Sequence, residues 1–151
     1  LSAPALQIEL NPVLRAIAGV VAMIAPAARL VPALDDGAIS RDEAVVAAYD
    51  TDPDIVREAP SARLGATAMS VLDRAWKRFS HWQVPVLILH GDADRLTPVE
   101  GSRRFFDTVP ASDSTLEIFE GGYHELLNDF ERERALAQIL GWLEKRIPAR
   151  T

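Results

Sequence analysis

The 151-residue chain has no cysteine and only three histidines. Without cysteine there is no disulfide, no thiolate zinc site and no thiol nucleophile, and the redox compartment stays open. Basic residues are also few, with 16 Lys+Arg against 22 Asp+Glu and a net charge of -6. A nucleic-acid partner needs the opposite balance, and so does an anionic membrane surface engaged by charge. Long apolar runs are missing too. The nearest, AIAGVVAMIAPAA at 16–28, is broken by Pro26 and is shorter than the roughly 20 residues a bilayer span requires. No basic segment precedes an apolar one as in a signal peptide. The chain opens on Leu1 rather than Met, and reads as part of a longer polypeptide.

What is present is material for a core: 48% of residues are hydrophobic, enough for about one packed domain and against disorder. No internal repeat or low-complexity segment appears. Residues 7–80 are Ala-rich and helical in pattern, with breaks at Pro32, Asp35-Asp36-Gly37 and Asp52-Pro53. Asn11-Pro12 starts a helix running to about Ala25. Ser40-Arg41-Asp42-Glu43 reads as a capping box opening a short helix to about Tyr49. A third helix is expected over 61–78, with Leu64, Ala68, Val71, Leu72, Ala75 and Phe79 as its apolar stripe.

Residues 83–147 read strand, helix, strand, helix. VPVLILH (84–90) is a continuous branched apolar run, the pattern of a strand buried on both faces of a parallel sheet. Thr97-Pro98-Val99-Glu100 reads as a second capping box, opening a helix to about Thr108. STLEIFE (114–120) is expected to be the next strand. Asn128 and Glu131 are expected to cap a last helix with Leu136, Ile139, Leu140, Leu143 and Ile147 on its apolar face. The pattern indicates α/β architecture with a parallel sheet. Two strands do not make a stable sheet of this kind. Either residues 1–3 and part of 4–80 add strands, or sequence before Leu1 supplies them, which is the preferred expectation.

Asp94, in HGDADRLTP, directly follows the first strand, and His124, in EGGYHELLND, directly follows the second. Loops at the carboxyl ends of strands in an open α/β sheet form its binding crevice, so both residues arrive at one rim. An imidazole held by a carboxylate can activate a hydroxyl nucleophile, because the carboxylate fixes the tautomer and stabilises the imidazolium. Gly121 and Gly122 permit the tight turn before His124, and Gly91 lets the first strand end sharply. Asp92 is a rival for the acid, or a cap for the turn presenting Asp94. His90, Asp92 and Asp94 alternate along an extended segment, but a closed metal site needs more ligands from well-placed elements, so no metal and no cofactor are expected. His81, beside Trp82, reads as a surface residue.

PVLILHGDADRLTP, FEGGYHELLND, LSAPAL and ISRDEAVVAAYDTDP (39–53) together resemble the monoacylglycerol lipases, which are α/β-hydrolases. The likeness runs over nearly the whole chain, and the 39–53 segment, similar to the cap of those enzymes, is its most discriminating part. The resemblance implies the C-terminal half of an α/β-hydrolase: residues 1–6 as the end of a core strand and its exit loop, 7–80 as a helical cap, 81–151 as the rest of the core. It implies Asp94 as the triad acid and His124 as the base. It also implies Leu96 in the acyl channel, with Leu34 and Met69 as further substrate contacts. The departure is large. None of the eight serines lies in a G-x-S-x-G, and His90-Gly91 is only a superficial copy of the family's upstream histidine-glycine segment. The nucleophile is therefore expected before Leu1, and this chain alone is expected to be inactive.

The function implied for the parent is cleavage of monoacylglycerol or a similar lipid ester, with lysophospholipase or general carboxylesterase activity as alternatives. A non-catalytic chain that associates through its exposed sheet edge is the reading from another class. Expected partners are the lipid ester, and the missing N-terminal half or a second copy of the chain. The expected location is the cytoplasm or, through peripheral contact of the cap, a membrane surface. Val13, Ile17, Val20, Val21 and Ile24 cover more than one face of the first helix. They are either ordinary core or a cap surface offered to a lipid chain or membrane.

Overall fold

The 84–90 run folds as β1 (Val86–Gly91), buried at every residue. It pairs in parallel with β2 (Ser114–Phe119), from Val86 opposite Ser114 to Gly91 opposite Phe119. Its other edge is also taken, by residues 1–3. Leu89 N donates to Leu1 O at 2.9 Å, Ala3 N donates to Leu89 O at 2.8 Å, and Ser2 bridges Leu89 in parallel. β1 is thus the middle of three parallel segments, which explains its unbroken apolar run. The computed structural model describes residues 1–8, 10–29, 33 and 35–147, and among these the stretch 4–80 adds no strand.

The five helices are α1 (Pro12–Ile24), α2 (Glu43–Thr51), α3 (Ala62–Phe79), α4 (Val99–Thr108) and α5 (Arg132–Glu144). Alternation along β1 sends its side chains to two layers. Val86 and Ile88 pack with Phe79 from the end of α3 and with Phe105 and Val109 of α4. Leu87 and Leu89 pack on the opposite face with Phe119, Leu126 and Ala135. Phe79 and Phe105 meet edge-on at 4.6 Å between centroids, an arrangement adding about 0.5–1.5 kcal/mol to the area they bury. The result is the expected α/β architecture, with one helical layer on each side of the sheet.

Several local expectations change. Asn11 does cap α1, accepting from Leu14 N at 2.9 Å. Ser40, however, does not cap α2; Asp42 does, accepting from Ala44 N. Ser40 is buried, donates to Asn128 O at 2.8 Å and accepts from Asp42 N at 3.0 Å, two residues ahead of the N-cap. Thr97 is not the cap of α4 either, whose N-cap is Pro98 without a side-chain bond. Nor does Asn128 cap α5: it lies in a 3-10 turn, and the N-cap position falls to Glu131, with no side-chain bond.

The buried face of α3 runs through Ala62, Met69 and Phe79, while Leu64 and Val71 are exposed. The expected stripe holds in the second half of the helix, where Leu72, Ala75 and Phe79 turn inward, and fails in the first, where Met69 is buried while Leu64, Ala68 and Val71 are exposed. On α5 the packed residues are Ala135, Ile139 and Trp142. Leu136, Leu140, Leu143 and Ile147 are exposed, since the sheet is narrower than the helix's apolar arc. Leu143 lines an open apolar groove with Leu1, Trp82 and Pro85 at the sheet edge. α1 buries no residue within this chain. It lies along α3, with Arg15 paired to Asp73, and Val13, Val20 and Ile24 face outward. No described helix is long and apolar enough to cross a membrane.

Candidate active site

Two loops at the carboxyl ends of β1 and β2 build the site, and backbone hydrogen bonds join them. Asp92 N donates to Phe119 O and Ala93 N to Gly122 O, both at 3.1 Å. Asp92 is thereby accounted for: its Oδ1 accepts from Gly121 N at 2.6 Å, tying one loop to the other. It is neither the partner of His124 nor a cap on its own turn. Gly121 has φ +68°, which a side chain disfavours. Gly91 is required for closeness rather than for a sharp strand end: a Cβ there would lie 2.1 Å from Gly122 O.

Across this seam His124 Nδ1 donates to Asp94 Oδ2 at 2.8 Å. The Asp94 side chain is fully buried, and that of His124 is 28% exposed. Asp94 is surrounded by donors. Leu96 N and Thr97 N reach Oδ1 at 2.8 and 3.0 Å. Thr97 Oγ1 donates to Oδ2 at 2.9 Å. Burial alone would raise the Asp94 carboxyl. The bonds from His124, from His90 and from the two backbone amides outweigh it and hold the group far below the usual carboxylate range. His124 moves the opposite way. Its bond to Asp94 raises the imidazole above its ordinary value against partial burial, and the charges of Asp94 and Glu125 add to the rise. His124 Nε2 has no hydrogen-bond partner among the described residues. An imidazole so held, with a fixed tautomer and one open nitrogen, has the geometry that a general base requires.

The segment before α2 docks over this rim. Glu125 N donates to Ile39 O at 2.8 Å. Arg41 Nε donates to Asp129 Oδ2 at 2.8 Å, and Arg95 Nη2 to Gly37 O at 3.0 Å. Asp129 is buried, and burial disfavours its charge. The Phe130, Tyr123 and Arg41 backbone N–H groups and the Arg41 side chain counter this, so the carboxyl stays below its usual value. This carboxylate therefore braces both ends of the loop carrying His124.

Of the other sequence candidates, Leu96 is half-buried and reaches Asp94 through its backbone N–H. Met69 is buried on α3. Leu34 lies outside the described residues. His81 is exposed, with Nδ1 3.2 Å from Ser80 Oγ. No group of three or more metal-binding side chains occurs among the described residues. Sequence reasoning missed Thr97, Asp129 and His90, which is completely buried beside Asp94. The signal for His90 was its place in β1, where every second residue faces α4 and a polar side chain needs a partner.

The family profile described as serine aminopeptidase, S33, matches residues 1–131. The chain belongs to this family. It is 37% identical over 145 residues to the monoacylglycerol lipase of Mycolicibacterium smegmatis, a match covering 95% of the chain and 51% of that protein. The crystal structure of the monoacylglycerol lipase of Paleococcus ferrophilus aligns with a TM-score of 0.83 at 36% identity, covering 94% of this chain and 56% of that one. A soluble variant of the Saccharomyces cerevisiae monoglyceride lipase aligns at 0.79 with 24% identity, covering 97% and 55%, a likeness of fold. The S33 chain spans about half the length of these relatives. Its fold is part of an α/β-hydrolase, as the resemblance implied.

Proposed function

We propose that this S33 chain is the acid-and-base half of a serine hydrolase that cleaves monoacylglycerol or a similar lipid ester. The observation that carries the reading is the 2.8 Å bond from His124 Nδ1 to buried Asp94 Oδ2 at the ends of two parallel strands. The similarity to the mycobacterial monoacylglycerol lipase supports the substrate class. The nucleophilic serine comes from sequence before Leu1. None of the eight serines here lies in a G-x-S-x-G, and no described serine is hydrogen-bonded to His124.

His124 Nε2 takes the proton of the serine as its oxygen attacks the ester carbonyl. Asp94 stabilises the imidazolium without taking the proton. The imidazolium then protonates the leaving alcohol, and water repeats the cycle on the acyl-enzyme. Helices α1 to α3 act as the cap, held to the rim through residues 35–41, and Leu96, beside Asp94, contributes to the acyl site. Residues 1–151 alone are inactive.

The test is a panel assay of the protein expressed with its upstream coding sequence. Monoacylglycerol is expected to give the highest kcat/KM, and His124→Ala and Asp94→Asn to lower kcat by about 10⁴-fold. Preference for a lysophospholipid, a short-chain ester or an aminoacyl amide would overturn the substrate class. Full activity in His124→Ala would overturn the mechanism.

A further inference from the structure

Asp94 has a second histidine. His90 projects from β1 toward α4 and is completely buried. Its Nε2 lies 3.0 Å from Thr97 O and 3.2 Å from Asp94 Oδ2. Both neighbours are acceptors, one a carbonyl and the other a carboxylate, so Nε2 must carry the hydrogen. Its Nδ1 lies 2.6 Å from Ser102 Oγ. In the neutral ring that nitrogen is an acceptor, and the Ser102 hydroxyl, itself completely buried on α4, donates to it. The chain of donors runs from Ser102 to His90 to Asp94 Oδ2, the same oxygen that accepts from His124.

We propose that His90, with its tautomer held by Ser102, is a positioning residue for the acid–base pair, keeping Asp94 ionised and its Oδ2 aimed at His124 Nδ1. The proposal rests on the reading of His124 as the base and Asp94 as its acid. A carboxylate buried this deeply needs several donors to remain charged. Leu96 N and Thr97 N hold Oδ1 from one side. Thr97 Oγ1 and His90 hold Oδ2 from the other, leaving His124 a single direction of approach. His90 also draws on the charge that Oδ2 offers to His124. Without it the carboxylate is more basic and pulls harder on the proton at Nδ1. The ionisable groups acting on His124 are Asp94 and Glu125, and neither is removed in the variants below.

The experiment has two arms. In the first, the His124 imidazole is titrated by NMR in the protein expressed with its upstream sequence, as wild type, His90→Leu, His90→Gln and Ser102→Ala, with circular dichroism to confirm folding. Loss of a hydrogen bond to the charged carboxylate is worth about 1–2 pH units at Asp94 itself, of which about half a unit is expected to pass to His124. The midpoint is expected to rise by about that much in His90→Leu. Ser102→Ala is expected to shift it less in the same direction, since the ring then spends part of its time with Nε2 unprotonated. In His90→Gln an amide N–H replaces Nε2–H, and the midpoint is expected to return to the wild-type value. In the second arm, esterase kinetics of the protein with its upstream sequence are expected to show kcat down about tenfold or more in His90→Leu, with KM unchanged and His90→Gln restoring kcat. A wild-type His124 midpoint in folded His90→Leu and Ser102→Ala overturns the proposal. So does failure of His90→Gln to restore it. If every form lacks esterase activity, the functional reading fails while the titration still decides the role of His90.

Discussion

Replacing Gly91 by alanine tests whether backbone closeness assembles the site. The added methyl would lie 2.1 Å from Gly122 O, 2.4 Å from Gly122 C and 2.7 Å from Tyr123 O, where ordinary contact begins at 3.4 Å. All three obstacles are backbone, so no side chain can swing aside. The His124 loop must retreat by about 1 Å or more, a displacement that costs on the order of 100-fold in rate when it parts catalytic groups. The 2.8 Å bond between His124 and Asp94 does not survive such a shift. Overpacking of this kind also costs about 1–3 kcal/mol of stability. Gly141→Ala is the matched control. It is the same chemical change inside α5, with nothing within 4 Å of the new atom, and it is expected to stabilise by about 0.5–1 kcal/mol. Urea unfolding of both variants, with titration of His124, reads the two effects together. If Gly91→Ala matches Gly141→Ala in stability and leaves the His124 midpoint in place, the account of the seam is wrong.

Other outcomes follow from the same contacts. As the proposed base, His124 must be neutral to act, and its pKa is raised, so kcat/KM is expected to climb with pH to a midpoint above 6.5, and Asp94→Asn to move that midpoint down. For stability the signs run opposite ways. The His124 contribution is full below 6.5 and is lost as pH rises through the raised folded value. The Asp94 contribution is full above 3.8 and is lost as pH falls toward its lowered one; a urea series across pH locates both limbs. Arg41→Ala removes a charged partner from buried Asp129 and is expected to cost about 1.5–3 kcal/mol, with faster hydrogen exchange at Tyr123 and Phe130. Phe105→Ala empties the aromatic contact with Phe79 and Trp82 and is expected to cost about 3–5 kcal/mol by denaturant unfolding.

Asp94 and His124 were legible because strand patterns and a topological rule together place both at one rim. Neither needed a side-chain coordinate to be proposed as neighbours. Capping residues were legible where the cap is local, as at Asn11. They misled at Ser40 and Thr97, which stand ahead of the N-cap positions and bond Asn128 O and Asp94. The sidedness of α3 and α5 was legible only in part: Phe79, Ala75 and Ile139 pack on the sheet as their patterns required, while Leu64, Leu136 and Leu140 are exposed. Which apolar residues of an apolar helix are buried depends on the width of what it packs against, and here that is only three parallel segments.

By itself, then, the sequence determined the element order, the parallel α/β class, the exclusion of cysteine chemistry and the meeting of Asp94 and His124 at one rim. These follow from short-range periodicity and from rules about where loops end. The tertiary structure decided the donors around Asp94, the role of Asp92 as a tie to Gly121, the bracing of the His124 loop by Asp129, and the burial of His90 against Ser102. Each of these joins groups through space, and a hydrogen bond across 88 residues, like that from Ser40 to Asn128, leaves no period in the sequence to read.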